Sequence, residues 1–245
     1  MFKASVITLC PDAFPGPLGV SILQRAREEG IWSLETVDLR TFGEGKHRKV
    51  DDTPAGGGAG LVLRADIAAS AIDSLTAAGR PVLYPSPRGA PFTQDRAKAL
   101  SAGPGAIVLC GRFEGLDERV IEARGLEEVS LGDFVLAGGE VAAMAMLEAT
   151  VRLLPGVAGN AASLADESFE NGLLEYPLYT APRTWEGREI PPVLLSGNHK
   201  AVTEWRLERS KALTQARRPD LWAAYPHGKP QGPALRASET DDECD

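Results

Sequence analysis

Cysteine is scarce in this chain: Cys10, Cys110 and Cys244 are the only ones in 245 residues. An odd and scattered set suits neither a disulfide framework nor a metal site. Cys10 and Cys110 end apolar runs, which reads as buried thiols, the common place for free cysteine. No apolar run reaches the roughly 18 residues that a membrane helix requires. The first residues, Met1-Phe2-Lys3-Ala4-Ser5-Val6, enter a strand-like run with no h-region and no small-residue cleavage site. A cytoplasmic protein is therefore expected. A G-x-G-x-x-G with a downstream acid is missing, which argues against a dinucleotide-dependent oxidoreductase. The glycine-rich stretch D-D-T-P-A-G-G-G-A-G, residues 51–60, has no Lys-Ser/Thr after it, which disfavours a phosphate-cradling loop. There are no internal repeats.

What is present is ordinary for a globular chain: 43% hydrophobic and 24% charged residues. The net charge of −8 argues mildly against a nucleic-acid partner. It conceals local excesses, however. Residues 40–49 and 205–218 are strongly basic, and part of the acid sits in the tail, residues 239–245. The partner stays open on charge alone.

Apolar periodicity predicts strands at 6–9, 32–39, 81–84, 106–109 and 127–131. Helices are predicted at 18–29, 65–78, 94–100, 116–123 and 141–153, with a long polar loop over 40–60. Strands alternating with helices imply an α/β fold with a mostly parallel sheet. Residues 157–172 are small, polar and acidic and read as an inter-domain linker. Beyond them an irregular aromatic stretch leads to an amphipathic helix at 199–215 and a short helix opening at Arg218-Pro219. The expected domains are therefore 1–156 and 173–225. Residues 226–245 have too little apolar content to fold and are expected to be disordered.

Three Gly-, Pro- or Ser-rich segments each follow a predicted strand: Tyr84–Gly89 (Y-P-S-P-R-G), Gly111–Gly115 (G-R-F-E-G) and the end of Glu127–Gly139 (E-E-V-S-L-G-D-F-V-L-A-G-G). The pattern puts three loops at one edge of the sheet, where α/β proteins bind ligands.

The stretches L-C-G-R-F-E-G-L-D-E-R-V, S-L-G-D-F-V-L-A-G-G-E, P-P-V-L-L-S-G-N-H and D-D-T-P-A-G-G-G-A-G resemble the bacterial tRNA (guanine-N1)-methyltransferases, over about residues 2 to 222. The resemblance implies a trefoil-knotted (SPOUT) α/β domain, a small helical C-terminal domain that binds tRNA, and a homodimer with the active site at the subunit interface. It implies S-adenosyl-L-methionine as methyl donor and leaves magnesium open. It also implies a target guanine on the 3′ side of the anticodon. The three segments would be the knot. Tyr84, Pro85, Ser86, Pro87, Gly111, Phe113, Glu114, Gly115, Leu131, Gly132, Asp133, Phe134, Val135, Leu136, Gly138 and Gly139 would line the donor. Glycine turns bring backbone groups close to a ligand, and Leu131, Val135 and Leu136 suit the faces of an adenine.

Methylating guanine N1 requires removal of its proton and stabilisation of the charge that develops on O6. A carboxylate serves the first and a guanidinium or metal ion the second. The family pattern has Asp directly before Ser-Phe. Here A-D-E-S-F, residues 165–169, puts Glu167 in that register with Asp166 before it. Glu167 is the expected base and Asp166 the alternative. Arg152 matches the family arginine that supports the reaction. Glu114 is expected to accept from the guanine edge, and Asp117 with Glu118 to hold the next helix. Lys46, Arg48, Lys49, Arg206, Arg209, Arg217 and Arg218 are candidates for phosphate contacts. Ser196, Asn198 and His199 open the C-terminal helix, with His199 read as a cap or an RNA contact. Ala55 and Ala181 replace an aromatic and an arginine of the pattern. The alternative function is a non-catalytic RNA-binding homologue of the same fold, supported only by the A-D-E-S-F departure.

Overall fold

The computed structural model describes residues 1–158 and 167–226. Asp166, Cys244, half of the expected linker and nearly all of the expected tail lie outside them. The chain divides into two compact units, Met1–Ala161 and Ala162–Asp245.

The first unit is built on a parallel sheet of five strands. They are β1 (Phe2–Thr8), β2 (Trp32–Asp38), β5 (Val82–Pro91), β6 (Gly105–Leu109) and β7 (Glu127–Ser130), in the order β2-β1-β6-β5-β7. Successive side chains of a strand face opposite ways. Ala4 and Val6 of β1, with Ala106 and Val108 of β6, therefore enter one apolar layer. Ile7, Ile107 and Leu109 enter the other. Both faces are covered, which is why β6 is buried along its whole length and reads as a continuous apolar run.

Helices α1 (Ser21–Glu28), α3 (Gln94–Ser101) and α5 (Glu140–Val151) contribute to the first layer, and α2 (Ala65–Asp73) and α4 (Glu118–Arg124) to the second. Asp117 caps α4 by accepting from the Arg119 backbone N–H, as expected of it. Gly125 ends that helix in the left-handed region.

Two expectations are corrected. Residues 40–60 are not one open loop. A short 3-10 turn, Leu39–Phe42, is followed by β3 (Asp51–Asp52), which pairs antiparallel with β4 (Val62–Leu63). The Y-P-S-P-R-G segment is not a turn after a short strand. It lies within β5, which runs ten residues from Val82 to Pro91. Val129 of β7 partners both Pro85 and Ala90, so residues 86–89 form a wide bulge. Pro85 and Pro87 have no N–H to give a ladder, and a Cβ on Gly89 would come within 2.2 Å of the Val129 nitrogen. Local composition that looked like strand termination instead marks a bulge within a continuing strand.

In the second unit, β8 (Thr184–Trp185) and β9 (Arg188–Glu189) form a hairpin. The long α6 (His199–Arg217) is followed by α7 (Pro219–Ala224). Asn198, not His199, supplies the side-chain cap of α6, accepting from the Ala201 N–H. The Thr214 hydroxyl donates to Ser210 C=O and accepts from the Leu174 N–H, tying the entering segment to α6.

Candidate functional site

A cleft of about 380 Å³ opens between the β5 bulge and the carboxyl ends of β6 and β7. That volume is in the range of small-ligand sites, roughly 300–1,000 Å³. Three segments converge on it: the β5 bulge, the loop after β6 and the loop after β7. Tyr84, Pro85, Ser86 and Pro87 line it from the first, and Gly111, Phe113, Glu114 and Gly115 from the second. Leu131, Gly132, Phe134, Val135, Leu136, Gly138 and Gly139 line it from the third. Asp133 does not line it; it is exposed on the same loop.

The loops are joined backbone to backbone. Gly139 N–H donates to Gly111 C=O at 2.9 Å, and Arg112 forms an antiparallel bridge with Gly138. This closeness needs residues without side chains. A Cβ on Gly139 would sit 2.9 Å from Cys110 Cα and 3.0 Å from Gly111 N. One on Gly111 would sit 2.8 Å from the Tyr84 hydroxyl oxygen. Phe113 turns the β6 loop with φ +59°, a left-handed conformation uncommon outside glycine.

The cleft surface is mostly backbone and apolar side chains. Phe113, Phe134, Val135 and Leu136 are all exposed, Val135 at 83%. The two guanidinium groups on the wall are already paired. Arg88 binds Glu118 at 2.9 Å and Glu128 at 3.0 Å. Arg112 binds Glu140 at 3.1 Å. These carboxylates raise both arginine pKa values, and together with Glu114 they outnumber the two guanidinium groups, leaving an excess of acid around the cleft. Burial pushes the Tyr84 phenol up. It also holds the Cys110 thiol well above its usual range, so Cys110 is an inert core group as expected. Cys10 departs from that expectation: it is only half-buried and its sulfur accepts from Arg112 Nη2 at 3.3 Å.

Glu114 links the cleft to the glycine-rich stretch. Its N–H donates to Leu61 C=O and Leu63 N–H donates to Gly115 C=O. A Cβ on Gly60 would fall 2.3 Å from Glu114 Oε1. The glycines of 51–60 therefore include one, Gly60 at φ +85°, that makes room for a carboxylate at the cleft.

The remaining expected residues fall outside these three segments. Arg152 is the C-cap of α5 and is not among the lining residues. Glu167 belongs to the second unit, where its C=O accepts from the Glu170 N–H. Of the expected phosphate contacts, Lys46, Arg48, Arg209 and Arg217 are exposed. Lys49 is paired with Asp52 and Arg218 with Asp220. Arg206 lies over the Tyr176 ring at 4.7 Å, and Arg209 over Trp205 at 5.9 Å. Among the described residues no group of three or more His, Cys, Asp or Glu is placed to hold a metal ion, and no helix is long and apolar enough to cross a membrane.

Sequence reasoning missed Thr8, Arg112 and Glu140. Arg112 stood inside G-R-F-E-G, and Glu140 follows the double glycine directly. Neither carried a local sign that the two would meet, and nothing in β1 marked Thr8.

Fold and cleft together define a class: α/β proteins that hold a small ligand on backbone groups at the carboxyl ends of parallel strands. Within it, the profile of the family described as "tRNA (Guanine-1)-methyltransferase TrmD" matches residues 2–224, and this chain belongs to that family. The tRNA (guanine-N(1)-)-methyltransferase of Brucella ovis is 61% identical over 224 residues, spanning 91% of this chain and 92% of that protein. The protein of the same name from Brucella abortus (strain S19) is 61% identical and covers 91% of each chain.

Proposed function

We propose that the chain transfers a methyl group from S-adenosyl-L-methionine to N1 of the tRNA guanine 3′ of the anticodon, with the donor held in the cleft. Family membership supports the reaction class. The observation that carries the site is the close backbone contact of Gly111 with Gly139 beside apolar side chains. It fits a flat nucleoside bound by main-chain groups, because Cβ atoms at these glycines would fill or distort the space. The excess of carboxylates over guanidinium groups around the cleft suits a cationic sulfonium. When bound, the donor supplies an activated methyl group, so the protein needs no nucleophile of its own.

The chain's own residues then have three tasks. Gly111, Gly138 and Gly139 fix the cleft, and Leu131, Val135 and Leu136 exclude water from it. Glu114 faces the acceptor side and accepts from the guanine edge. Glu167 removes the N1 proton, and Arg152 stabilises the charge left on O6. No step is assigned to magnesium. The two loops crossing after β6 and β7 are read as the closing segments of a knot, an arrangement very rare among folds. The exposed Phe113, Phe134 and Val135, with Val141 at 61% exposure, favour a homodimer that covers this rim. In that dimer one subunit's Glu167 serves the cleft of the other. The second unit, with Arg206 and Arg209 stacked on aromatic rings, is read as the tRNA-binding domain, and the protein as cytoplasmic.

The test is methyl incorporation into unmodified tRNA by the purified chain. Glu167→Gln is expected to lower transfer by about 10²–10⁴-fold with donor binding unchanged, and Asp166→Asn to have little effect. Transfer that survives loss of both carboxylates would overturn the base assignment. Absence of transfer by the intact chain, with RNA binding retained, would favour the non-catalytic homologue.

A further inference from the structure

Glu140 is buried to 4% exposure at the first position of α5, directly after the glycine pair of the β7 loop. A buried carboxylate needs partners, and it has three contacts from two other elements. Thr8, the last residue of β1, donates its hydroxyl to Oε1 at 2.7 Å. Arg112, from the loop after β6, meets it with both prongs of its fork: Nε to Oε1 at 3.2 Å and Nη2 to Oε2 at 3.1 Å. The Thr8 hydroxyl also accepts from the Cys10 N–H at 2.9 Å. Three segments remote in sequence thus meet on one carboxylate behind the cleft wall.

We infer that Thr8, Arg112 and Glu140 form a buried brace that sets the spacing of the β6 and β7 loops, and that they are positioning residues for donor binding. A second observation points the same way. The brace lies against Gly138, where a Cβ would come 2.4 Å from Arg112 Nε and 2.5 Å from Glu140 Oε2. The ion pair therefore leaves no room for a side chain at this point of the cleft. Arg112 lines the cleft, yet its charge is turned onto Glu140. A fork bound on two sides gives fixed geometry as well as attraction, and a cleft whose walls are backbone has few other means of fixing their separation.

The inference rests on the reading of the cleft as the donor site, and the experiment separates the two. Calorimetric binding of S-adenosyl-L-methionine to the full chain is measured without RNA, and the KM for donor and kcat with tRNA. Glu140→Gln is expected to weaken donor binding roughly tenfold or more and to raise the donor KM, with kcat at saturating donor largely retained. Thr8→Val is expected to weaken binding roughly tenfold, and Thr8→Ser to restore it. This pair decides the matter if Glu140→Gln does not fold. Gly138→Ala should weaken binding sharply in the native background and add less to the loss beside Arg112→Ala, which removes one of the two side chains that its Cβ would meet. Asp73→Asn, which breaks the exposed pair with Arg124, is the control and should bind as the parent does. Folded Thr8→Val that binds donor as tightly as the parent overturns the brace. Failure of the parent chain to bind donor overturns the reading of the cleft.

Discussion

The two units of this chain hold their functional surfaces in opposite ways. In the first, the cleft stands on a sheet covered on both faces, and its walls are fixed by backbone contacts and a buried ion pair. In the second, the buried side chains among the described residues are Leu173, Ser210, Thr214 and Tyr225. There the aromatic rings are shared with cations: Arg206 over Tyr176, Arg209 over Trp205, Lys211 near Tyr225 and Arg218 near Phe169. Backbone contact in a packed interior is unforgiving, because each atom has a fixed neighbour. Cation–ring contacts near the surface are individually weak, about 0.5–1 kcal/mol, and several can be lost one at a time. A small ligand with one shape calls for the first solution. A long, charged surface such as RNA, the ligand proposed for the second unit, calls for the second.

The contrast can be broken most directly at Gly139. Gly139→Ala puts a methyl against Cys110 Cα and Gly111 N. Donor affinity is expected to fall about 100-fold and stability by about 1–3 kcal/mol, read by calorimetry and thermal melting. A variant with native affinity would mean that the loops give way and that the cleft is not rigid.

A smaller effect is expected at Gly60, whose φ of +85° disfavours a side chain and whose Cβ would press on Glu114. Gly60→Ala should cost roughly 1 kcal/mol or more. Methyl transfer should fall more than donor binding if, as proposed, the displaced carboxylate faces the acceptor. Equal losses in both would move Glu114 to the donor side.

In the second unit Arg206→Ala removes one ring contact. The loss should be graded, roughly two- to fivefold in tRNA affinity, matching about 0.5–1 kcal/mol. Filter binding with and without added salt would measure it. A complete loss would show that this surface is as tightly specified as the cleft.

The smallest effect concerns Asp220, whose carboxyl is lowered to about 2 by its hydrogen bond with Arg218. A folded pKa below the usual 3.8 means that any stability from the pair is present above that value. It is lost as pH falls toward about 2. The side chains are largely exposed, so Asp220→Asn should leave the melting temperature at neutral pH unchanged. Melting curves across the acid range would detect a larger role.

Much of the first unit was legible because its strands are buried on both faces and separated by amphipathic helices. Ala106–Leu109 could be nothing but an interior strand, and the structure extends it by one residue to Gly105. The segment Tyr84–Gly89 was misread as a turn because Pro and Gly signal both turns and bulges, and only the pairing of Val129 with two separate positions distinguishes them. The short β3–β4 pairing was hidden for a related reason: two-residue strands carry no period. Composition could name the glycines and loops of the cleft but not their partners. Thr8 and Glu140 are 132 residues apart, and no local pattern records a contact at that distance.

The bond from Gly139 N–H to Gly111 C=O also has a consequence for the order in which the protein comes into being. During synthesis the β5 bulge and the β6 loop emerge long before the segment that closes on them. A nascent chain ending before Gly139 holds all five strands of the sheet but lacks the bond that ties the β7 loop to the β6 loop. The cleft is therefore completed after its sheet, once Gly139 and the α5 residues behind it have been added.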